Sequence, residues 1–263
     1  VVAHNYGDVK HDSIQSDMVP SLASRVKHLL RIENPKCVAY DILFGCPGWL
    51  EAIIQMNAYI KAGMAKTCLV IGAEGLSRVI DQHDRDSMIY SDGAGATILQ
   101  KSDAEGGIIA HSTETHTKEE AHFIHFDKSY QKLENSARHY IKMYGRKVYN
   151  FALKNVPLAM KSCLDNSGVS IGQIKKIFIH QANEKMDEAI CERFYKLHDQ
   201  EPPDNIMPMS IGKLGNSSVA TIPTLLDLVL NSKMKDHKVE SGNYVMFASV
   251  GAGMNINAVV YQF

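Results

Sequence analysis

Twice in this chain a short apolar run ends on a reactive side chain and turns at once into an amphipathic run. The first is Cys37-Val38-Ala39-Tyr40-Asp41-Ile42-Leu43-Phe44, followed by Gly45-Cys46-Pro47-Gly48 and a helical pattern from Glu51 to Lys61. The second runs from Ile174 to Ile179, ends at His180, passes Gln181-Ala182-Asn183 and enters a helical pattern from Glu184 to Leu197. Further apolar runs stand at 67–71, 94–99, 243–248 and 255–261, with helical patterns from Lys147 to Leu164 and from the Gly212–Ser218 segment through Leu230. Strands alternating with helices at this spacing imply a parallel-rich sheet covered by helices on both faces. Runs such as "CLVIGA" are apolar throughout rather than alternating, as strands buried on both faces are.

Each junction has a plain reading of its own. A lone cysteine in apolar surroundings is ordinarily a small hydrophobe, and a strand-end histidine a satisfied core residue. An asparagine after glycine is commonly a turn or N-cap residue. The set of them points elsewhere. Cys46 stands at a strand-to-helix turn, where exposed amides favour an anion, so its thiol pKa is expected to fall and the thiolate to be populated. Pro47 suits an early helical position, which has no use for its missing N–H. His180 stands at the second junction. Asn216 lies in Gly212-Lys213-Leu214-Gly215-Asn216-Ser217-Ser218, and a small-residue turn, Ala248-Ser249-Val250-Gly251-Ala252-Gly253-Met254, joins the last two strands. A thiolate that attacks a carbonyl, with neutral His and Asn as donors to a developing oxyanion, makes an acyl-transfer site.

The segments "YDILFGCPGW", "DRDSMIYSDGAGATIL", "IFIHQAN", "GKLGNSSVATIP" and "ASVGAGMN" follow one another over nearly the whole chain. In them the chain resembles the β-ketoacyl-acyl-carrier-protein synthase III family of the thiolase superfamily. The resemblance implies an α/β, thiolase-like fold of two duplicated βαβ-rich halves in a layered α-β-α-β-α arrangement. The first half, 1–110, would carry the nucleophile; a polar connecting segment would span 111–145; the second half, 146–263, would carry His and Asn. Family members have an opening strand–helix–strand portion ahead of "VVAHNYGD", so an N-terminal portion is expected to be missing here.

The resemblance also implies roles. Cys46 would take an acyl group from acyl-coenzyme A, and His180 with Asn216 would serve decarboxylative condensation with malonyl-acyl-carrier protein. The backbone amides of Cys46 and Ala252 would form the oxyanion hole, with Ala252 standing where the family commonly has glycine. Phe44 would line the acyl pocket and Arg85 would stack near the adenine of coenzyme A, a task for a flat guanidinium. Lys185, with Arg146 and Lys147, would dock the acidic carrier protein; Asn150 stands where the family often has a basic residue. The coenzyme A thioester is a substrate, and no cofactor is implied. A homodimer is expected through Thr67–Ile71 as an edge strand, since an unpaired edge invites association.

Bulk properties fit a soluble enzyme. Charge is balanced, with 28 basic and 29 acidic residues, so no nucleic-acid or membrane-surface footprint is visible. Cys37, Cys46, Cys68, Cys163 and Cys191 are odd in number and lack CxxC spacing, which favours a reducing cytosol over a disulfide framework or zinc site. The chain shows no apolar run long enough to span a bilayer and no signal peptide. The polar stretch 101–145 holds His111, His116, His122 and His125 at spacings that match no metal-ligand pattern; a solvated loop with partial helix is expected. "QEPPDNIMP" reads as a second irregular insert, because its prolines forbid helix continuation.

Related activities are weighed on the same residues. Elongating synthases use a second histidine where this chain has Asn216, and degradative thiolases use a C-terminal cysteine, but none follows Cys191. Plant-type polyketide synthases carry a "GFGPG" turn that is missing. Hydroxymethylglutaryl synthases need a catalytic glutamate in the first half; Glu74 stands there, while Asn216 in "GNSS" points the other way. Two alternatives remain: a specialised synthase of the same chemistry making a polyketide-like or secondary metabolite, and a catalytically silent partner subunit.

Overall fold

The computed structural model describes residues 1–10, 15–131 and 137–263. The first half contains β1 (Val2–His4), α1 (Leu22–Leu29), β2 (Asp41–Leu43), α2 (Gly48–Lys61), β3 (Thr67–Gly75) and β4 (Asp92–Gln100). Its sheet has the order β2-β1-β3-β4, parallel except for the antiparallel β3–β4 pair. The rest contains β5 (Gly107–Thr115), β6 (Ile124–Asp127), β7 (Tyr140–Met143), α3 (Gly145–Ser167), β8 (Ile174–Ile179), α4 (Glu184–Lys196), α5 (Ile211–Leu214), α6 (Thr221–Leu230), β9 (Tyr244–Gly251) and β10 (Asn255–Gln262). Its main sheet runs β5-β10-β9-β8, and β6 and β7 form a separate antiparallel pair.

Alternation along β9 explains the layers. Val245 and Phe247 face one core, and Met246 and Ala248 face another. The first core is the middle of the molecule: Trp49 and Ile53 of α2, Leu225 and Val229 of α6, and Val70 of β3 meet Phe178 and Phe247. Those two rings stack with centroids 5.2 Å apart. The second core packs Val156, Met160 and Leu164 of α3 and Ile190 and Phe194 of α4 on the outer face of the same sheet. Both faces of β8–β10 are therefore dry, and each large side chain so buried contributes about 1.5–3 kcal/mol. Helices α2 and α6 fill the space between the sheets, which gives the layered thiolase-like arrangement expected from the sequence.

Several elements differ from expectation. Only Asp41–Leu43 of the apolar run 37–44 is a strand. Lys27 Nζ donates to the carbonyls of Asn34 (2.8 Å) and Cys37 (2.7 Å), which folds the preceding residues into an exposed turn. Asp41 anchors what remains: its carboxylate accepts the Leu22 and Ala23 amides at the start of α1, each at 2.8 Å, and faces His4 Nε2 at 3.1 Å. The stretch 101–145 is not loop with partial helix. It contributes β5, β6 and β7, while 132–136 lies outside the described residues. The expected boundary at 110/111 falls inside β5, which pairs with β10 in the second sheet. As an edge strand with one face against α3, β5 exposes every second residue, and its polar composition hid it. Thr67–Ile71 is not an edge either: β3 lies between β1 and β4, and the edges of that sheet are β2 and β4. Finally, the helix after Gly212 is broken. α5 stops at Leu214, Gly215 takes φ +69°, and a 3₁₀ turn over Ser218–Ala220 precedes α6, leaving Asn216 in the gap.

Candidate active site

Cys46 sits between the end of β2 and the first turn of α2, and two glycines explain how it gets there. Gly45 has φ +68°, a conformation that L side chains rarely adopt, and a Cβ on it would lie 2.8 Å from the N and O of Ala252. A Cβ on Gly251 would lie 2.5 Å from the Cys46 amide nitrogen. The cysteine turn and the β9–β10 turn thus meet backbone to backbone. Asn255 stitches them, its Nδ2 donating to Phe44 O at 3.3 Å and Ala252 O at 2.8 Å.

That approach sets the electrostatics of the thiol. Burial dominates and pushes the Cys46 pKa up to about 11; the Ser218 hydroxyl, 3.4 Å from Sγ, and the amides of Cys46 and Ala252 act the other way. The expectation of a depressed pKa at the helix start is therefore overturned. A few oriented donors do not offset the loss of water around an anion.

His180 ends β8, where its amide donates to Ala248 O at 2.8 Å. It is 3% exposed, and burial lowers its pKa to about 4, so the ring is neutral. Nδ1 lies 2.7 Å from Thr221 Oγ1. The residues that follow have separate work. Gln181 Oε1 accepts the Ser210 amide (2.6 Å) and the Ile211 amide (3.1 Å), fixing the start of α5, and Asn183 Oδ1 accepts the Met186 amide as the N-cap of α4.

Asn216 is held by its backbone. Its amide donates to Ile89 O at 2.7 Å, and its carbonyl accepts the Ser91 amide at 2.9 Å. Its side-chain Oδ1 accepts the Ser218 amide at 2.9 Å, which leaves the Nδ2 hydrogens as what Asn216 offers to the cavity. Ser218 carries φ +54°, unusual for a residue with a side chain and a mark of a constrained site. Its hydroxyl also accepts Asn5 Nδ2 at 2.7 Å. Asn5 Nδ2 donates to Glu74 Oε2 as well, and the Asn5 amide reaches the same oxygen at 3.0 Å. Glu74 is buried, and burial raises its pKa to about 7 against these hydrogen bonds.

One wall of the site is the 3₁₀ turn Arg85–Ile89, capped by Asp84, whose side chain accepts the Asp86 amide at 3.0 Å. Buried Lys142 of β7 pins it, with Nζ 2.5 Å from Asp81 and 3.1 Å from Asp84. The start of α3 lies against the same turn, where a Cβ on Gly145 would stand 3.2 Å from Asp86 Oδ2.

A cavity of about 460 Å³ joins these parts. Cys46, His180, Asn216 and Ala252 line it together, with Arg85 and Arg146 on its walls. Phe44 is not among the lining residues; it is half-buried, and its carbonyl serves Asn255. Lys185 is exposed on the first turn of α4, and Lys147 is exposed against the rings of Phe123 and Tyr144. Sequence reasoning assigned no role to Asn5, Ser218, Thr221 or the Asp81–Asp84–Lys142 cluster. Ser218 and Thr221 lie inside "GNSSVATIP", so the motif held the signal; the ion cluster joins residues far apart in sequence and held none. Among the described residues, no group of three or more His, Cys, Asp or Glu side chains is placed to hold a metal ion, and no helix is long and apolar enough to cross a membrane.

Comparison with known proteins finds relatives of the chain and of its fold. The family described as 3-oxoacyl-[acyl-carrier-protein (ACP)] synthase III matches residues 40–117, and its C-terminal counterpart matches 164–263. A beta-ketoacyl-[acyl-carrier-protein] synthase III of Neisseria meningitidis is 33% identical over 255 residues, covering 93% of this chain and 72% of that protein. The crystal structure of the Thermus thermophilus synthase III superposes with a TM-score of 0.84 at 27% identity, over 100% of this chain and 76% of its own. A priming beta-ketosynthase from the R1128 polyketide pathway shares the fold, with a TM-score of 0.82 at 22% identity over 100% of this chain and 74% of its own.

Proposed function

The chain belongs to the 3-oxoacyl-[acyl-carrier-protein] synthase III family, condensing enzymes of fatty acid synthesis, and from that premise we propose that it initiates chains by a two-step acyl transfer. Cys46 takes an acyl group from acyl-coenzyme A: its sulfur bonds to the thioester carbon, and the coenzyme A thiol leaves with the proton. The amides of Cys46 and Ala252, which already act on the sulfur, serve as the donors to the carbonyl oxygen as it becomes an oxyanion. Malonyl-acyl-carrier protein then enters and loses carbon dioxide. The charge left on its thioester oxygen meets His180 and Asn216, two neutral donors worth about 3 kcal/mol each in such a site. The enolate carbon attacks the acyl group on Cys46, forming the new carbon–carbon bond and freeing the sulfur.

One observation carries this reading: Cys46, His180, Asn216 and Ala252, from four separate stretches of chain, line one cavity. Arg85 on its wall suits the adenine of coenzyme A, and Arg146, with exposed Lys185 and Lys147, suits an acidic carrier surface. A homodimer remains part of the proposal, now through the β2 edge, where Leu43 of the strand and Val38 just ahead of it are exposed. Five free cysteines fit a reducing cytosol.

The test is intact-mass measurement after incubation with acetyl-, isobutyryl- and longer acyl-coenzyme A, followed by peptide mapping. An acyl adduct on Cys46, absent in Cys46→Ala, is the expected result and identifies the starter. Labelling from an acyl-carrier thioester alone would move the assignment to a specialised synthase. No adduct from either donor, with folded protein, would leave the silent-partner alternative standing.

A further inference from the structure

A neutral imidazole has one N–H, and which nitrogen carries it decides whether His180 can donate to an oxyanion. Its Nδ1 faces Thr221 Oγ1 at 2.7 Å, so the ring's other nitrogen, Nε2, is the one available to the cavity that His180 lines. Thr221 is the first residue of α6, and its side chain is buried. Its hydroxyl has a single hydrogen and two acceptors in reach: His180 Nδ1 at 2.7 Å and Ser218 O at 3.0 Å. Ser218 O already receives the backbone amide of Thr221 itself. The carbonyl is thus satisfied without the hydroxyl, whereas Nδ1 has Thr221 as its partner. The side chain next in sequence does not compete, because Gln181 is spent on Ser210, Ile211 and Ile179.

We propose that Thr221 donates its hydroxyl hydrogen to His180 Nδ1 and thereby fixes the Nε2–H tautomer, making the imidazole a donor toward the cavity. The inference rests on the reading of His180 as a stabiliser of the decarboxylation oxyanion. In the opposite arrangement Nδ1–H would donate to Thr221, and the hydroxyl would turn to Ser218 O. Nε2 would then present a lone pair to the developing negative charge and repel it. The heavy-atom distances are the same in both, so the hydroxyl hydrogen is the deciding element. Thr221 is in this sense a positioning residue: it touches no reacting atom and acts through the ring.

The experiment is a long-range ¹H–¹⁵N correlation spectrum of the full chain labelled with ¹⁵N-histidine, with the His180 signals assigned by their loss in His180→Gln. The expected wild-type spectrum has a protonated-type shift at Nε2 and an unprotonated-type shift at Nδ1. Thr221→Ser keeps that pattern, and the near-isosteric Thr221→Val loses it. In parallel, decarboxylation of a malonyl thioester should fall roughly 10²-fold in Thr221→Val, while acylation of Cys46 stays within about twofold. A merely structural role would slow both steps together and leave the tautomer unmoved. Nδ1–H in the wild type overturns the proposal, with no variant needed. So does a Thr221→Val enzyme that decarboxylates at the wild-type rate. Nε2–H in a wild-type protein that neither acylates nor decarboxylates supports the tautomer assignment and instead overturns the proposed reaction.

Discussion

Cys46 follows a strand of three residues, none fully buried, whereas His180 follows one of six in which Lys175 alone is exposed. β8 is locked between two dry cores, one of them shared with Trp49 and Val70 of the first half, so the histidine is placed by burial on both faces of its strand. β2 is an edge strand with little core of its own, and the cysteine is placed by the other half. Gly45 closes on Ala252, Gly251 closes on Cys46, and Asn255 bonds the Phe44 carbonyl. The comparison teaches that Cys46 is aligned by close backbone contact with the β9–β10 turn and His180 by the burial of its strand.

The largest expected effect tests the buried side. Phe178→Ala empties the stacked pair with Phe247 at the centre of the middle core and should cost about 3–5 kcal/mol, read from the denaturant midpoint at constant m-value. Protein that remains folded should still acylate Cys46; selective loss of acylation would break the comparison. Next comes the contact side. Gly251→Ala drives a methyl into the Cys46 amide, so acyl-enzyme formation should fall by about 10²-fold or more, while stability drops by only about 1–3 kcal/mol. Equal loss of stability in the two variants would mean that both residues are placed in the same way.

The smallest effect sharpens the comparison through pH. Folding raises the Glu74 pKa from 4.5 to about 7, so the folded state holds this proton more tightly than the unfolded chain. The stability it contributes is complete below about pH 4.5 and is lost as pH rises through about 7. His180 has the opposite sense, its contribution lost as pH falls from 6.5 toward about 4. Subtracting wild type from Glu74→Gln removes the histidine and leaves Glu74 alone. The difference in melting temperature should therefore climb in the variant's favour between pH 4.5 and 7; a flat difference would mean that Glu74 carries no such shift.

Much of this was readable in advance, and for physical reasons. Cys46, His180 and Asn216 sit where strands or loops meet helices, and such junctions leave their mark in local sequence. Asn183 and Pro47 are helix-start residues by type. What stayed hidden depends on distance or on solvent. Lys142 finds Asp81 and Asp84 only after the chain has folded back on itself. β5 looks like loop because one of its faces is wet. The Cys46 thiol was expected to be acidic from its place ahead of α2, but burial, which local sequence does not carry, decides the sign. Phe44 shows the same gap, since proximity along the chain did not put it in the cavity.

The backbone bridge between Ile89, Asn216 and Ser91 ties two parts of the cavity's lining together. Arg85 begins the turn that Ile89 ends, and Lys142 stiffens it from behind. On the proposed reading, a ligand held by Arg85 would pull on the same peptide groups that position Asn216. Binding energy gathered far from the breaking bond is thereby available as alignment at it. If the proposed reaction holds, shortening the handle of the substrate would slow it as well as loosen the grip.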